Sequence, residues 1–300
     1  MKAIEALKAF FVRESEVVAV YLYGRYASTQ MWPDTDIEIS LLFRQSMGPD
    51  EIGEYLERLP ESNPLGGQPG ILMPSALNTH ILPAVYEILT SGDLLVDNDA
   101  EERTEFAAAA MARIQEERPA MLEEAKGTIL KARSLPFEVG AAAVHILPQP
   151  ARPMDPLRIG WRLGRVLASA AILEPATREL EATSRDAERV GQVIGWFSNA
   201  AGAATGIAKA MLTILGIPRP NRRWEVFLPL ADTGLMTMEL ALHMAVAAES
   251  RWQLLTTSGF IAPERALAHI RSMLPPILSF ARLAAWYTEL PGSQQGQRLH

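Results

Sequence analysis

The stretch that decides the fold of the amino-terminal part is YLYGRYASTQMWPDTDIEISLLF, residues 21–43. Its start completes a β-branched and aromatic run, which predicts a strand over 17–23. A turn and a short helix are expected next, and the alternating segment 36–43 predicts a second strand. Asp36 and Glu38 open this strand two residues apart, so the pleat directs both side chains to the same face.

Two carboxylates on one face predict a metal site. Asp36 and Glu38 repel each other unless a cation lies between them, and Mg²⁺ prefers hard oxygen ligands, typically one or two carboxylates together with substrate phosphates. Gly24 lies in the turn after the first strand, where free N–H groups can face a phosphate and no side chain blocks its approach. The sequence therefore predicts that one strand–turn–helix–strand unit contains a phosphate-binding site and a metal-binding site.

This segment resembles the nucleotidyltransferase superfamily related to DNA polymerase beta, especially its minimal prokaryotic (MNT) members. Their pattern is a hydrophobic residue, Gly and Ser, then about ten residues, then Asp-x-Asp or Asp-x-Glu. Here Tyr23-Gly24-Arg25 is followed by residues 26–35 and then by Asp36-Ile37-Glu38. The resemblance implies Mg²⁺ at Asp36 and Glu38, which would be the catalytic carboxylates of an active enzyme, and an ATP triphosphate at Gly24 and Arg25.

Two departures from the family pattern predict a decayed site. Arg25 stands where the family has Ser, which helps to hold the triphosphate. The family also commonly carries a third carboxylate on a neighbouring strand, but no Asp or Glu occurs from 62 to 86, and Met73 stands at the expected position. Phosphoryl transfer with two metals would then lack a ligand and a base.

The rest of the chain divides into regions by composition. Residues 1–133 mix strand and helix patterns, 134–154 contain four prolines and predict a connection, and 155–290 have helical periodicity throughout. The polar residues 291–300 predict a disordered tail. The predicted fold class is α+β, a small nucleotidyltransferase-like mixed sheet with helices followed by an all-α helical bundle.

Prolines are expected to interrupt several elements. Pro74 makes the segment 71–77 a poor candidate for a central strand, because it cannot donate to the ladder. Pro119 is expected to kink or split the long helix that begins near Asp99. Pro275 and Pro276 are expected to interrupt the last helical stretch.

The carboxy-terminal region resembles the HepT-like branch of the HEPN superfamily, all-helical domains often partnered with MNT proteins in toxin–antitoxin pairs. The branch carries Arg-x4–6-His, and two copies across a dimer form a metal-independent RNase site. In the matching stretch RWQLLT, Arg251 is present as a remnant of this motif, but Thr256 stands where His is expected. His243 and His269 lie outside the motif. The resemblance implies a homodimer formed through the helical domain, and the missing His predicts that RNase activity is absent.

Three hypotheses for function follow. The first is a fused MNT–HEPN protein of toxin–antitoxin or defence type, a pseudoenzyme that binds nucleotide or RNA rather than turning it over efficiently. The second is an active nucleotidyltransferase that moves AMP from Mg-ATP to a hydroxyl of a protein or RNA. The third is a purely structural dimer.

Composition narrows the class of protein further. The 300 residues include no cysteine, which excludes disulfides and thiolate metal sites. Charged residues interrupt the amino-terminal apolar positions, and no apolar run approaches the roughly 20 residues that span a bilayer, so no signal peptide, no membrane partner and a cytoplasmic location are expected. Residues 1–135 carry a net charge of −10, which disfavours tracking of a nucleic-acid backbone by this part.

Overall fold

The chain forms two compact units, residues 1–120 and 121–300. The computed structural model describes residues 2–23, 36–67, 71–136, 154–181, 187–218, 220, 222, 224–257 and 261–288. The predicted connection over 134–154 lies mostly outside these residues, and the predicted tail over 291–300 lies entirely outside them. The boundary between the units falls inside a helix that begins in the first unit.

The first unit is a small mixed sheet with helices. Its elements are α1 (Lys2–Phe11), β1 (Val17–Leu22), β2 (Asp36–Phe43), α2 (Pro49–Arg58), β3 (Ile71–Ala76), α3 (Leu82–Ser91), β4 (Asp93–Asp97) and the start of α4 (Ala100–Arg133). The strand order is β3-β2-β1-β4. Strand β1 is antiparallel to β2 and β4, whereas β2 and β3 are parallel. The predicted strands over 17–23 and 36–43 are therefore confirmed.

Hydrophobic clusters cover both faces of this sheet. On one face, Ile37, Ile39 and Leu41 of β2 pack with residues of α1 and α2. On the other face, Leu42 of β2 packs with residues of β1, α3 and α4. Successive residues of β2 thus alternate between two cores, as strand geometry requires.

Strand β3 lies at the edge of the sheet, which explains how it accommodates Pro74. The sequence predicts that Pro74 is unsuited to a central strand, and the strand order places β3 next to β2 alone. Proline is tolerated in an edge strand because its missing N–H can face away from the neighbouring strand.

The second unit is helical. After the end of α4 it contains α5 (Pro156–Glu181), α6 (Ala187–Ile214), a 3-10 turn at Trp224–Phe227, α7 (Leu228–Asp232), α8 (Met238–Thr257) and α9 (Pro263–Trp286). One continuous hydrophobic core joins the end of α4 with α5, α6, α8 and α9. The coarse prediction of an α+β chain, with a small mixed sheet followed by helices, is confirmed. Among the described helices, none is both long and apolar enough to cross a bilayer.

The expected interruption of the last helical stretch and the expected split of the long helix do not occur. Helix α9 runs through Pro275 and Pro276 without interruption, and α4 is not split at Pro119. In α9 the burial of Pro276, Ile277 and Phe280 offsets the lost backbone hydrogen bonds, since helix stability in proteins comes mostly from packing of the apolar face.

Candidate functional site

Three neighbouring strands bring Tyr23, Glu38 and Met73 side by side. Leu22 pairs with Ile39 in the antiparallel ladder, and the backbone N–H of Tyr23 donates to the carbonyl of Glu38 at 3.0 Å. In the parallel ladder, Glu38 is the direct partner of Met73. The three residues therefore form a row across the strands β1, β2 and β3.

Glu38 lies on the face of β2 opposite Ile37 and Ile39. Both isoleucines are fully buried, whereas Glu38 is half-buried. The pairing of β2 with β3 runs without a register shift from Asp36 to Leu41, so the alternation of faces holds at this end of the strand. The backbone of Asp36 is thus two residues from Glu38 on a regular strand, while its side chain lies outside the described residues.

The residue beside Glu38 on β3 is a half-buried methionine, Met73. A thioether is a soft ligand, whereas Mg²⁺ prefers oxygen atoms. Within the described part of the chain, no group of three or more His, Cys, Asp or Glu side chains is placed to hold a metal ion. Beside Glu38, residue 73 therefore offers a thioether and no oxygen ligand.

A polar network is centred on Ser75, two residues after Met73 on β3. The Ser75 hydroxyl donates to the carbonyl of Ile39 at 3.1 Å. It also lies 3.2 Å from the Tyr23 hydroxyl and 3.0 Å from Nε2 of His80. A serine hydroxyl has one proton and two lone pairs, so Ser75 can join all three groups in one network.

The sequence analysis missed this network, although strand parity offered a signal. Ser75 lies two residues after Met73 and so shares its face. Tyr23 directly follows β1 and reaches Ser75 on β3, so its side chain crosses over β2 on the side of Glu38. Which side chains meet across three strands depends on register, which residue spacing alone does not give.

Ser40 lies beneath this network. It pairs with Tyr21 on one side and with Ser75 on the other, and it is fully buried. Its hydroxyl oxygen has no hydrogen-bond partner among the described residues. Burial raises the pKa of Tyr21, so this neighbouring phenol is neutral at neutral pH.

The phosphate-binding residues predicted from the sequence, Gly24 and Arg25, lie outside the described residues, as does the short helix expected after them. Of the flanking positions, Tyr23 directly follows the end of β1 and Asp36 begins β2. The segment 24–35 therefore joins the two strands at the end where Glu38 lies.

In the second unit, Arg251 projects from α8 toward α6. Its Nε donates to the Ser198 hydroxyl at 2.8 Å. The guanidinium carbon lies 3.2 Å from the position that a Cβ would take at Gly202. The side chains of Trp252 and Thr256 lie outside the described residues.

The two histidines outside the motif make their described contacts away from Arg251. Nδ1 of His243 lies 2.9 Å from the carbonyl of Glu239, one turn earlier in the same helix. The ring of His269 meets the ring of Phe197 edge to face, with centroids 6.4 Å apart. Neither of these two contacts involves Arg251.

A second group of arginines reaches α6 from α5. Arg162 lies with its Nε 2.7 Å from the position that a Cβ would take at Gly206, and Arg165 donates to Asn199 at 3.1 Å. Gly202 and Gly206 are one helical turn apart, so Arg251 and Arg162 cover adjacent turns of one face of α6. The missing side chains at these two glycines therefore leave room for arginine side chains.

Comparison with known proteins found no matching family model, no matching curated protein and no matching solved structure. What the coordinates define is a small mixed four-stranded sheet with helices, compatible with a nucleotidyltransferase-like fold, followed by a helical unit.

Proposed function

We propose that this chain is a fused MNT–HEPN protein whose first unit binds a magnesium–nucleotide complex without efficient turnover. Asp36 and Glu38 would hold one Mg²⁺, and the turn with Gly24 and Arg25 would contact the triphosphate. The second unit would be an RNase-inactive HEPN domain. A protein of this kind fits a toxin–antitoxin or defence setting, in which nucleotide occupancy rather than catalysis is sensed.

The pairing of Glu38 with Met73 carries this proposal. A carboxylate at residue 73 would adjoin Glu38 and complete a three-acid corner for two metal ions. With methionine there, one face of the site lacks an oxygen ligand and a proton acceptor, although the Asp36–Glu38 pair still favours a cation. Binding is thus retained while the chemical step is impaired.

Thermal unfolding with Mg-ATP tests the binding step. A ligand that binds only the folded state raises its stability, by about 2.7 kcal/mol at 100 times the dissociation constant. We expect Mg-ATP to raise the melting temperature of the wild-type protein and to have no effect on Glu38→Gln. The matched control is Glu87→Gln, which removes an acidic side chain on α3 of the same unit. Equal responses of all three proteins would reject the proposed site.

An active nucleotidyltransferase, moving AMP from Mg-ATP to a protein or RNA hydroxyl, is the second candidate. The observation that favours it is the hydrogen bond between Ser75 and His80, because imidazole is the side chain most often used for proton transfer. Ser75 lies two residues after Met73 on β3. Incubation with α-labelled ATP separates the candidates. Covalent labelling of the protein or of RNA that is lost in Asp36→Asn would favour the active transferase over the protein that only binds nucleotide.

RNA binding is proposed for the second unit on the arrangement of Arg162, Arg165 and Arg251 over α6. Guanidinium groups bind phosphates through several donors at once. We expect single-stranded RNA to bind without being cleaved, because Thr256 cannot move a proton near neutral pH. Arg251→Gln should weaken binding and reduce its salt dependence by about one charge, whereas Arg178→Gln, on an exposed position of α5, should do neither.

A homodimer through the helical unit is part of the same proposal. Met238, Leu242 and Val246 follow each other at four-residue intervals on α8 and are 47%, 53% and 47% exposed. Exposed apolar residues in a stripe suit burial against a second copy. Light scattering after size exclusion should give the mass of a dimer, and Leu242→Glu should shift it to a monomer. If Mg-ATP and RNA both fail to bind a dimeric protein, the structural-dimer hypothesis remains.

A further inference from the structure

A pocket between α8 and α9 contains charged groups that none of the functions considered above uses, although it shares Val246 with the proposed dimer stripe. Its volume is about 310 Å³. Glu249 reaches it from α8, and Arg265 and His269 reach it from α9. The rest of its lining consists of the polar residues Ser250 and Gln253 and of four apolar residues: Val246, Leu254, Ile261 and Ala266. The pocket thus combines aliphatic side chains with three ionisable groups that can bind charged ligand atoms.

Two polar atoms in this pocket are buried without a hydrogen bond. They are Oε2 of Glu249 and Nε2 of His269, neither of which has a partner in the part of the chain that the structure describes. The two side chains also form no ion pair within 4.0 Å of each other there. Leaving a buried donor or acceptor unpaired costs about 1–3 kcal/mol, and more for a charged group, so a group that pairs with both would bind favourably.

The chemistry of these atoms selects the binding group. A carboxylate accepts hydrogen bonds only, and burial lowers the pKa of His269, which keeps its imidazole neutral at neutral pH. A neutral imidazole accepts through one ring nitrogen. A primary ammonium has three donors and a positive charge, so it can donate to Glu249 and His269 together and neutralise the carboxylate.

Arg265 adds the complementary charge. Its side chain is exposed and lines the same pocket. It would disfavour a ligand that carries only positive charge, but it would favour a ligand whose other end is a carboxylate, which guanidinium groups bind in a bidentate manner. The aliphatic walls between the charged groups suit a hydrocarbon body.

From these contacts we infer that the pocket between α8 and α9 binds a small aliphatic zwitterion of the amino-acid class. Its ammonium group lies at Glu249 and His269, and its carboxylate lies at Arg265. This site is separate from the proposed nucleotide and RNA sites, so its test does not depend on theirs.

Isothermal titration of the full-length chain tests the inference with probes that differ in charge. The probes are L-leucine, 4-aminobutyrate and 6-aminohexanoate as zwitterions, pentylamine as a cation and hexanoate as an anion. We expect saturable binding of at least one zwitterion, and binding at least about tenfold weaker for pentylamine and hexanoate, the loss of about one charged hydrogen bond. No saturable binding of any zwitterion, or equal binding of pentylamine, would overturn the proposal.

Variants at the pocket provide the second arm. Glu249→Gln preserves the size of the side chain and removes its charge. It should weaken binding of the zwitterion by at least about tenfold. The control is Glu264→Gln, which removes an exposed acidic group in the first turn of α9. Unchanged binding in Glu249→Gln, with thermal melting like that of the wild type, would contradict the proposed ammonium contact.

Discussion

Glu38 and Met73 are direct partners in the parallel ladder of β2 and β3, and both are half-buried. A single substitution therefore changes the charge beside Glu38 without moving the strand. We predict that Met73→Asp creates a second metal position and raises α-labelled AMP transfer above the wild-type level, since a third carboxylate supplies the missing ligand and base.

Met73→Asn is the matched control for this gain of function. It has nearly the size of aspartate but supplies no negative charge, so its transfer activity should stay at the wild-type level. The measurement is covalent label incorporation per protein chain at saturating Mg²⁺. Equal incorporation by Met73→Asp and Met73→Asn would show that the vacant position is not next to Glu38.

The adjacent serines Ser40 and Ser75 should respond to alanine in opposite ways. Ser40 is buried and its hydroxyl is unpaired within the described residues, so Ser40→Ala should leave the free energy of unfolding unchanged or raise it by up to about 1 kcal/mol. Ser75 holds Tyr23 and His80, so Ser75→Ala should lower it by about 1–3 kcal/mol. Urea unfolding measures both, and a larger loss for Ser40→Ala would show that its hydroxyl is paired.

Alanine substitutions at two glycines of α5 should change the free energy of unfolding in opposite directions. A Cβ at residue 160 would lie 2.5 Å from Cβ and 2.8 Å from Cα of Ala125, which belongs to the same unit, so Gly160→Ala forces the helices apart and should cost about 1–3 kcal/mol. At Gly164 the nearest atom would be 3.9 Å away, on Thr128. Gly164→Ala should therefore raise stability by up to about 1 kcal/mol through helix propensity. Urea unfolding again provides the measurement, and equal effects would contradict the close packing at Gly160.

Burial of His269 predicts a loss of stability in mild acid. Because its pKa is lowered in the folded state, the unfolded chain binds a proton first as the pH falls. Its contribution is constant above about pH 6.5, the ordinary histidine value, and stability falls as the pH drops from there toward the folded-state pKa. The free energy of unfolding should drop more between pH 7.5 and pH 5.5 in the wild type than in His269→Gln. An identical drop in the two proteins would show that folding does not lower the pKa of His269.

Strand periodicity predicted the first unit well, whereas proline rules misled the prediction of the helices. The alternation of 36–43 and its two acidic residues indicated β2 and the face of Glu38 correctly, because strand geometry fixes both. Pro275 and Pro276 are unfavourable in a helix interior, but residues such as Ile277 and Phe280 around them are buried in the core. The local rule omits this burial, so it predicts an interruption that the packed helix does not have.

The polar groups that meet in space were the hardest to predict. Tyr23, Ser75 and His80 come from different parts of the chain around the sheet, and Glu249 and His269 line one pocket from different helices. Sequence spacing relates residues within one element only. Contacts between elements depend on register and on helix packing, which follow from the whole core.

The central claim is that Glu38 holds the metal of a bound nucleotide. Isothermal titration of a non-hydrolysable ATP analogue into the wild-type protein and Glu38→Gln, with and without Mg²⁺, tests it most directly. The claim predicts one binding site in the wild type that requires Mg²⁺ and that is lost in Glu38→Gln. Absence of binding to the wild type, or equal Mg²⁺-dependent binding to both proteins, would contradict it.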